Sequence, residues 1–228
     1  MICYGKTLCT VSNMNSVNRH KKIMDTISGV SILTFPILLL IGFLLHPDIM
    51  SLEQVRTPEQ LANNFHNNTM WHIGHLIVAF AIPFIIFSIM HFMNLLKEEG
   101  ISYGIIGGIG GIFGAVALAL DKGSLCLILS GFDTLPEAEF VGLIPYLQVF
   151  IDKPGLLVIN WLFILIPLGV SFQTIGLIKE KHVKSWQGIL IIVGLLLLIN
   201  PDIEIISVVG TVLIIIGIYP LGIKTLRH

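Results

Sequence analysis

The chain has 228 residues, of which 54% are hydrophobic and only 12% charged, and its mean hydropathy of +0.90 excludes an ordinary soluble domain. At about 20 residues per membrane span, this length predicts six spans with short loops and no separate soluble domain. The formal net charge of −1 and the lack of a sizeable basic patch argue against nucleic-acid binding, so the lipid bilayer is the one partner that the composition implies.

The first apolar run covers residues 27–45 and follows a basic stretch, as the core of a signal peptide does. It continues into His46-Pro47-Asp48 with no small-residue cleavage site, so we predict a retained first span. Residues 1–13 are predicted to be a disordered tail, and Met14 is an alternative start of the chain.

The second span is predicted over residues 71–96, and the polar turn 97–100 returns the chain directly into a third span. Apolar sequence continues beyond Asp121-Lys122, which predicts that the third helix projects past the bilayer. In the mixed stretch 131–155, an apolar segment is broken by Pro145. We interpret this segment as an interfacial or partly re-entrant element.

The fourth span is predicted over residues 156–178, and a short basic loop follows it. The rest of the chain is predicted to be a hairpin with arms 187–199 and 205–223, joined by the turn Asn200-Pro201-Asp202. Even from Trp186, the first arm would cover only about 21 Å of a hydrocarbon core roughly 30 Å thick. The hairpin is therefore predicted to be either a pair of spans with one short arm or a re-entrant element.

Lysine and arginine indicate the orientation, because these residues are concentrated in cytoplasmic loops. With the N-terminus inside, ten of the 13 basic residues are cytoplasmic, and ten of the 14 acidic residues lie on the opposite side. The sequence thus predicts an all-α, polytopic transmembrane helix bundle of the plasma membrane with both termini in the cytoplasm. Residues 27–223 form its single membrane domain, between cytoplasmic tails at 1–26 and 224–228.

Counting about 20 residues from each cytoplasmic boundary brings ionisable groups of three spans to one depth. These groups are His46 on the first span, His72 and His75 on the second, and Asp121 on the third. His72 and His75 are three residues apart, the helical spacing that lets two imidazoles approach one ion. Five more polar residues are expected near this level: Asp48, Asn160, Asn200, Asp202 and Glu204.

Three chemistries are open to such a cluster. Imidazole and carboxylate groups bind divalent metals, with His46, His72, His75 and Asp121 as ligands; His46 and His75 can serve as axial ligands of one haem; and a histidine oriented by a carboxylate can transfer protons. The opposing interpretation is that polar residues gather wherever helix ends meet water. The loop residue His66 is a further ligand under the first interpretation and simply solvated under the second.

The third span carries three overlapping G-x-x-x-G pairs between Gly104 and Gly114, which predicts close packing against another helix, in this chain or in a partner. The leading hypothesis is a membrane-embedded protein that binds a metal or haem at its outer face. One rival is a small transporter or immunity-type factor with a cavity lined by Asn160 and His91, and another is a purely structural subunit. The sequence does not decide whether the protein is an enzyme.

Overall fold

The computed structural model describes residues 5–47, 49–200 and 203–227, and all regular secondary structure in these residues is helical. The α-helices are α1 Gly5–Leu44, α2 Pro58–Phe65, α3 Thr69–Leu95, α4 Ile101–Lys122, α5 Leu129–Phe132, α6 Glu137–Leu143, α7 Gln148–Asp152, α8 Leu165–Lys179, α9 Ser185–Leu197 and α10 Glu204–Leu226. A π-helical segment, Gly123–Ile128, joins α4 to α5, and 3-10 segments occupy Ile144–Leu147 and Gly155–Ile164.

Five helical stretches of the described chain are long and apolar enough to cross a membrane. They are Arg19–Leu44, Thr69–Leu95, Ile101–Phe132, Gly155–Lys179 and Glu204–Leu226. Helix α9 is equally apolar but has only 13 residues. The stretch that contains α4 has 32 residues, about 48 Å of helix, so it exceeds a 30 Å hydrocarbon core as the sequence predicts.

The first helix begins earlier than predicted. Helix α1 already begins at Gly5, so the prediction of disorder for residues 1–13 is wrong from that residue onwards.

The polar turn predicted at 200–202 is described only at Asn200. Asp202, Asp48 and the last residue of the chain lie outside the described residues. Asn200 shapes this turn, because its side chain accepts a hydrogen bond from the backbone N–H of Ile203.

The long helices form a closed ring in the order α1, α3, α4, α8, α9 and α10, and α10 packs back against α1. Short connections return the chain between α3 and α4, between α8 and α9 and between α9 and α10, and α1 and α10 are also antiparallel. Gly29 near the start of the α1 span lies against Leu226 at the end of α10, whereas His46 just beyond α1 pairs with Glu204 at the start of α10. The main apolar core fills the inside of this ring.

Charge is sorted between the two ends of the ring. One end, here called the basic end, carries nine described lysines and arginines: Arg19, Lys21, Lys22, Lys97, Lys179, Lys181, Lys184, Lys224 and Arg227. The opposite end, here called the acidic end, carries eight described carboxylates: Glu53, Glu59, Asp121, Asp133, Glu137, Glu139, Asp152 and Glu204. Only Arg56, Lys122 and Lys153 are basic there.

Glu180 ties the helices together at the basic end. Its carboxylate accepts hydrogen bonds from the backbone N–H groups of Lys97, Glu98 and Gly100 at 2.8–3.0 Å, in the turn between α3 and α4. Burial alone would raise the pKa of this carboxyl, but the three backbone bonds and a contact with His182 lower it below its ordinary value. The end of α8 is thereby fixed to the turn of a neighbouring helix pair.

The glycine-rich face of α4 packs inside the chain. A β-carbon placed on Gly107 would collide with the backbone oxygen of Gly169 in α8, and one on Gly108 would collide with Met93 in α3. In contrast, a β-carbon on Gly110 meets no atom within 4 Å. The packing predicted for Gly104–Gly114 is therefore present, and its partners are α3 and α8 of the same chain.

A separate cap covers the acidic end. Helix α2 packs against the 3-10 segment Ile144–Leu147, around a second apolar cluster distinct from the ring core. The buried members of this cluster are Leu61, Ala62, Phe65, Trp71, Leu129, Phe140 and Leu147. The apolar segment that was predicted to be interfacial or re-entrant is thus a chain of short helices that lies over α2.

Candidate functional site

Between the cap and the ring, the acidic end gathers four histidines and two carboxylates, here called the histidine–carboxylate network. Its members are His46, His66, His72, His75, Asp133 and Glu204. The N-cap of α3 positions two of them, because the Asn68 side chain accepts from the backbone N–H of Trp71 and starts the helix there. His72 and His75 then project from the first two turns of α3.

His46 joins three helices. Its Nδ1 atom lies 2.9 Å from a carboxylate oxygen of Glu204, the first residue of α10. Its ring also stacks on the imidazole of His75, with centroids 4.7 Å apart and an interplanar angle of 29°. The ends of α1, α3 and α10 therefore meet through one imidazole.

His75 is buried, and its neighbours determine its tautomer. The Nδ1 atom lies 3.0 Å from the backbone oxygen of Trp71, and a carbonyl can only accept, so Nδ1 carries the proton. The indole of Trp71 packs on the same imidazole, with ring centroids 3.9 Å apart. Trp71 is 3% exposed and belongs to the apolar cluster of the cap, so the cap and the network share this side chain.

Asp133 holds the second half of the network. One carboxylate oxygen accepts from the backbone N–H of Asn67 at 2.9 Å and lies 2.9 Å from Nδ1 of His66. The other oxygen lies 3.0 Å from Nε2 of His72. Burial alone would raise the pKa of Asp133, but the bonds from Asn67, His72 and His66 lower it below its ordinary value. The carboxylate thus stays charged and bridges two histidines.

The sequence did not single out Asp133. It directly follows the long apolar stretch Ile101–Phe132, and this position is the one signal in the sequence that marks it. His66 was assigned either to a metal site or to solvent, and the structure gives its partly buried side chain contacts with the cap. Its ring stacks on Phe140 at 3.8 Å, and its Nε2 atom lies 3.2 Å from Glu137.

Asp121 contacts other groups than the histidines with which it was grouped. Its carboxylate pairs with Lys153 at 3.2 Å and with Lys122 at 3.6 Å. Lys153 is held in place by a left-handed backbone conformation and by the indole of Trp161, whose centroid is 4.8 Å from the amine. Two cations therefore neutralise Asp121, which removes the charge that would attract a metal ion.

The structure brings together two of the four predicted ligands, His46 and His75, whereas His72 and Asp121 have other partners. No group of three histidine, cysteine, aspartate or glutamate residues in the described part of the chain is arranged to hold a metal ion. Haem ligation by both His46 and His75 requires two imidazole nitrogens that point at one iron from opposite sides. Rings stacked face to face at 4.7 Å leave no space for a porphyrin between them.

We accordingly expect the purified protein to be colourless and free of stoichiometric metal after expression with added haem and divalent metals. Absorption spectroscopy and elemental analysis of the detergent-solubilised protein measure both. A Soret band, or a bound metal that disappears in His75→Ala, would instead support the metal or haem site predicted from the sequence.

A cavity inside the ring is the feature to compare with the predicted transport path. The cavity lined by Pro167 has a volume of about 30 Å³, and Ser88 supplies its only polar side chain. His91 and Asn160 are buried but do not line it; the Nε2 atom of His91 lies 3.4 Å from the hydroxyl of Thr225 on α10. His91 thus has a structural partner, and this cavity gives no support to a polar path.

Comparison with known proteins gives no information about the function of this chain. The chain matches no protein-family model, no curated protein and no solved structure. The contacts at the acidic end are therefore the basis for any functional conclusion.

Proposed function

We propose that the chain is an integral protein of the plasma membrane with six spans, and that its basic end faces the cytoplasm. The sorting of lysine and arginine between the two ends of the ring supports this orientation. With α1 entering from the basic end and each neighbour antiparallel, both termini lie on the cytoplasmic side.

The contacts of α9 favour a short sixth span over a re-entrant loop. Gln187 near its start lies against Gly217 of α10, and Gly194 lies against Gly210. Beyond its end, the side-chain amide of Asn200 donates to the hydroxyl of Ser207, one turn from the start of α10. Helix α9 therefore runs alongside α10 towards the acidic end without turning back, which supports a short span.

For the function itself, we propose that the histidine–carboxylate network binds and releases protons, so that the outer face of the protein responds to the pH of the medium. One observation carries this proposal: each histidine faces a carboxylate or a carbonyl, and the imidazoles do not converge on a common point. Histidine is the side chain that ordinarily changes charge between about pH 5 and pH 8.

Protonation acts in opposite directions on the two halves of the network. Around Asp133, a charge on His66 or His72 strengthens a bond to a carboxylate that is already ionised. At the stacked pair, charges on both His46 and His75 repel each other at 4.7 Å. Acidification is therefore expected to tighten the cap and to loosen the junction of α1 with α3. Two other charged groups face the network: Glu137 contacts His66, and the charge of Lys122 acts on His75.

Trp71 is a built-in reporter, because its indole packs on His75 and a charged imidazole quenches a neighbouring indole. Because His75 is buried and burial disfavours a charged imidazole, we expect the fluorescence of a protein with Trp71 as its only tryptophan to fall as the pH is lowered from about 6 to about 4, below the range of a solvated histidine. The required background is Trp161→Phe with Trp186→Phe, since both of these side chains are about half exposed.

The matched pair of variants is His75→Gln and His20→Gln in that background. His75→Gln should remove most of the pH response, whereas His20, an exposed residue of the basic end, should be dispensable. A fluorescence that stays constant over the whole range, or a response that survives in His75→Gln, would refute the proposed proton exchange.

A further inference from the structure

A second feature, at the opposite end of the ring, takes no part in the proposed proton exchange. A cavity of about 630 Å³ opens at the basic end, between the end of α8, the start of α9 and the last turns of α10. This volume is in the range of pockets that hold a small molecule or a cofactor.

The cavity results from the shortness of α9. The backbone oxygen of Gln187 lies 2.7 Å from where a β-carbon of Gly217 would be, so α9 starts beside the middle of α10. Residues 218–226 of α10 continue past it for about 13 Å. The loop from Glu180 to Lys184 crosses this gap with Lys181 in a left-handed conformation, and the space between the loop and α10 stays open.

The lining of the cavity combines cationic and apolar side chains. Its polar members are Lys181, His182, Lys184, Ser185, Gln187 and Lys224. Its apolar members are Ile178, Val183, Pro220 and Leu221. No described acidic side chain lines it.

The three lysines of the lining have no counter-charge in the described chain, where no ion pair involves Lys181, Lys184 or Lys224. The adjacent carboxylate, Glu180, is already occupied by three backbone N–H groups and by His182. The cavity thus concentrates about three positive charges that only a ligand or solvent can balance.

We propose that this cavity binds the phosphate headgroup of an anionic phospholipid. Lysine amines donate hydrogen bonds to phosphate oxygens. The apolar members of the lining would contact the glycerol and the first acyl carbons. Trp186, half exposed beside the cavity, is a residue type that anchors helices at the membrane interface. The proposal rests on the membrane placement of the ring and is independent of the histidine–carboxylate network.

The test compares phosphatidylglycerol with phosphatidylcholine of the same acyl chains, added to the full-length protein in detergent. Native mass spectrometry counts the lipid molecules retained. One basic residue near an anionic lipid surface contributes about 1 kcal/mol, which corresponds to about fivefold in affinity. We expect the triple variant Lys181→Gln, Lys184→Gln, Lys224→Gln to lose at least about tenfold in affinity for phosphatidylglycerol and to keep its affinity for phosphatidylcholine.

The matched control is Lys21→Gln, Lys22→Gln, Lys97→Gln, which removes three exposed lysines of the same end from outside the cavity. It should bind phosphatidylglycerol as the wild type does, and both variants should elute as folded protein in size-exclusion chromatography. If the triple variant misfolds, the single variant Lys184→Gln is expected to show about a fivefold loss.

Three results would overturn the proposal. The wild type could bind both lipids equally, the control could lose as much affinity as the cavity variant, or millimolar inorganic phosphate could displace the lipid. The second result would indicate a diffuse surface charge, and the third a soluble phosphate compound as the ligand.

Discussion

Gly169→Val is expected to destabilise the helix ring by about 3 kcal/mol, the upper end of what overpacking normally costs. A β-carbon at this position collides with the backbone oxygen of Gly107 and lies 2.6 Å and 3.0 Å from the N and Cα atoms of Gly111. All these atoms belong to the backbone of α4, so they cannot move aside by rotating a side chain. Helices α4 and α8 would have to separate. Thermal unfolding of the detergent-solubilised protein, followed by circular dichroism, measures the loss.

The reciprocal variant Gly107→Val tests the same contact from the other helix and has a matched control. Gly110→Val introduces the same β-branched residue three positions later in α4, where a β-carbon meets no atom within 4 Å. We expect Gly107→Val to unfold at a clearly lower temperature and Gly110→Val to remain close to the wild type. Equal losses in the two variants would mean that helix propensity dominates and not the backbone contact.

The helices themselves could be predicted because hydropathy and helix length are properties of the linear sequence. The four long apolar segments before Lys179 and the short arm that became α9 follow from the length of their apolar runs. The glycine repeats also predicted a close backbone contact. They could not show whether the partner was α8 of the same chain or a helix of another protein, because one helix presents the same face in either case.

The site was predicted by depth but not by pairing. Residue counting brought His46 and His75 to one level, and the two rings are in contact. Residue counting could not predict the contact between His72 and Asp133. These residues are 61 positions apart, and the folding of the cap brings the carboxylate to the histidine. Depth along a helix is one-dimensional, whereas pairing also depends on the direction in which each side chain points. Asp121 was predicted at the same depth, and its carboxylate contacts Lys153 instead.

Asp133→Asn is expected to destabilise the protein at neutral pH by about 2 kcal/mol, because hydrogen bonds to a charged group are lost. The amide oxygen can still accept from Asn67 and His66. The amide nitrogen, however, places a donor against Nε2 of His72, where the wild type has an acceptor at 3.0 Å. The cap is then attached to α3 by one connection fewer, so we expect the variant to melt at a lower temperature in detergent.

The pH dependence of this loss distinguishes the charge of Asp133 from its shape. The pKa of Asp133 is lowered in the folded protein, so its contribution is complete above the unfolded value near pH 4 and is lost as the pH falls through the lower folded value. The gap between wild type and variant should therefore have its full size above about pH 4. The gap in melting temperature should close below about pH 4.

The control is Glu139→Gln, which removes an exposed carboxylate of the same cap and should leave the melting temperature unchanged at every pH. A gap that is independent of pH would show that Asp133 acts only through its shape, and the proposed coupling of the cap to protons would fail with it.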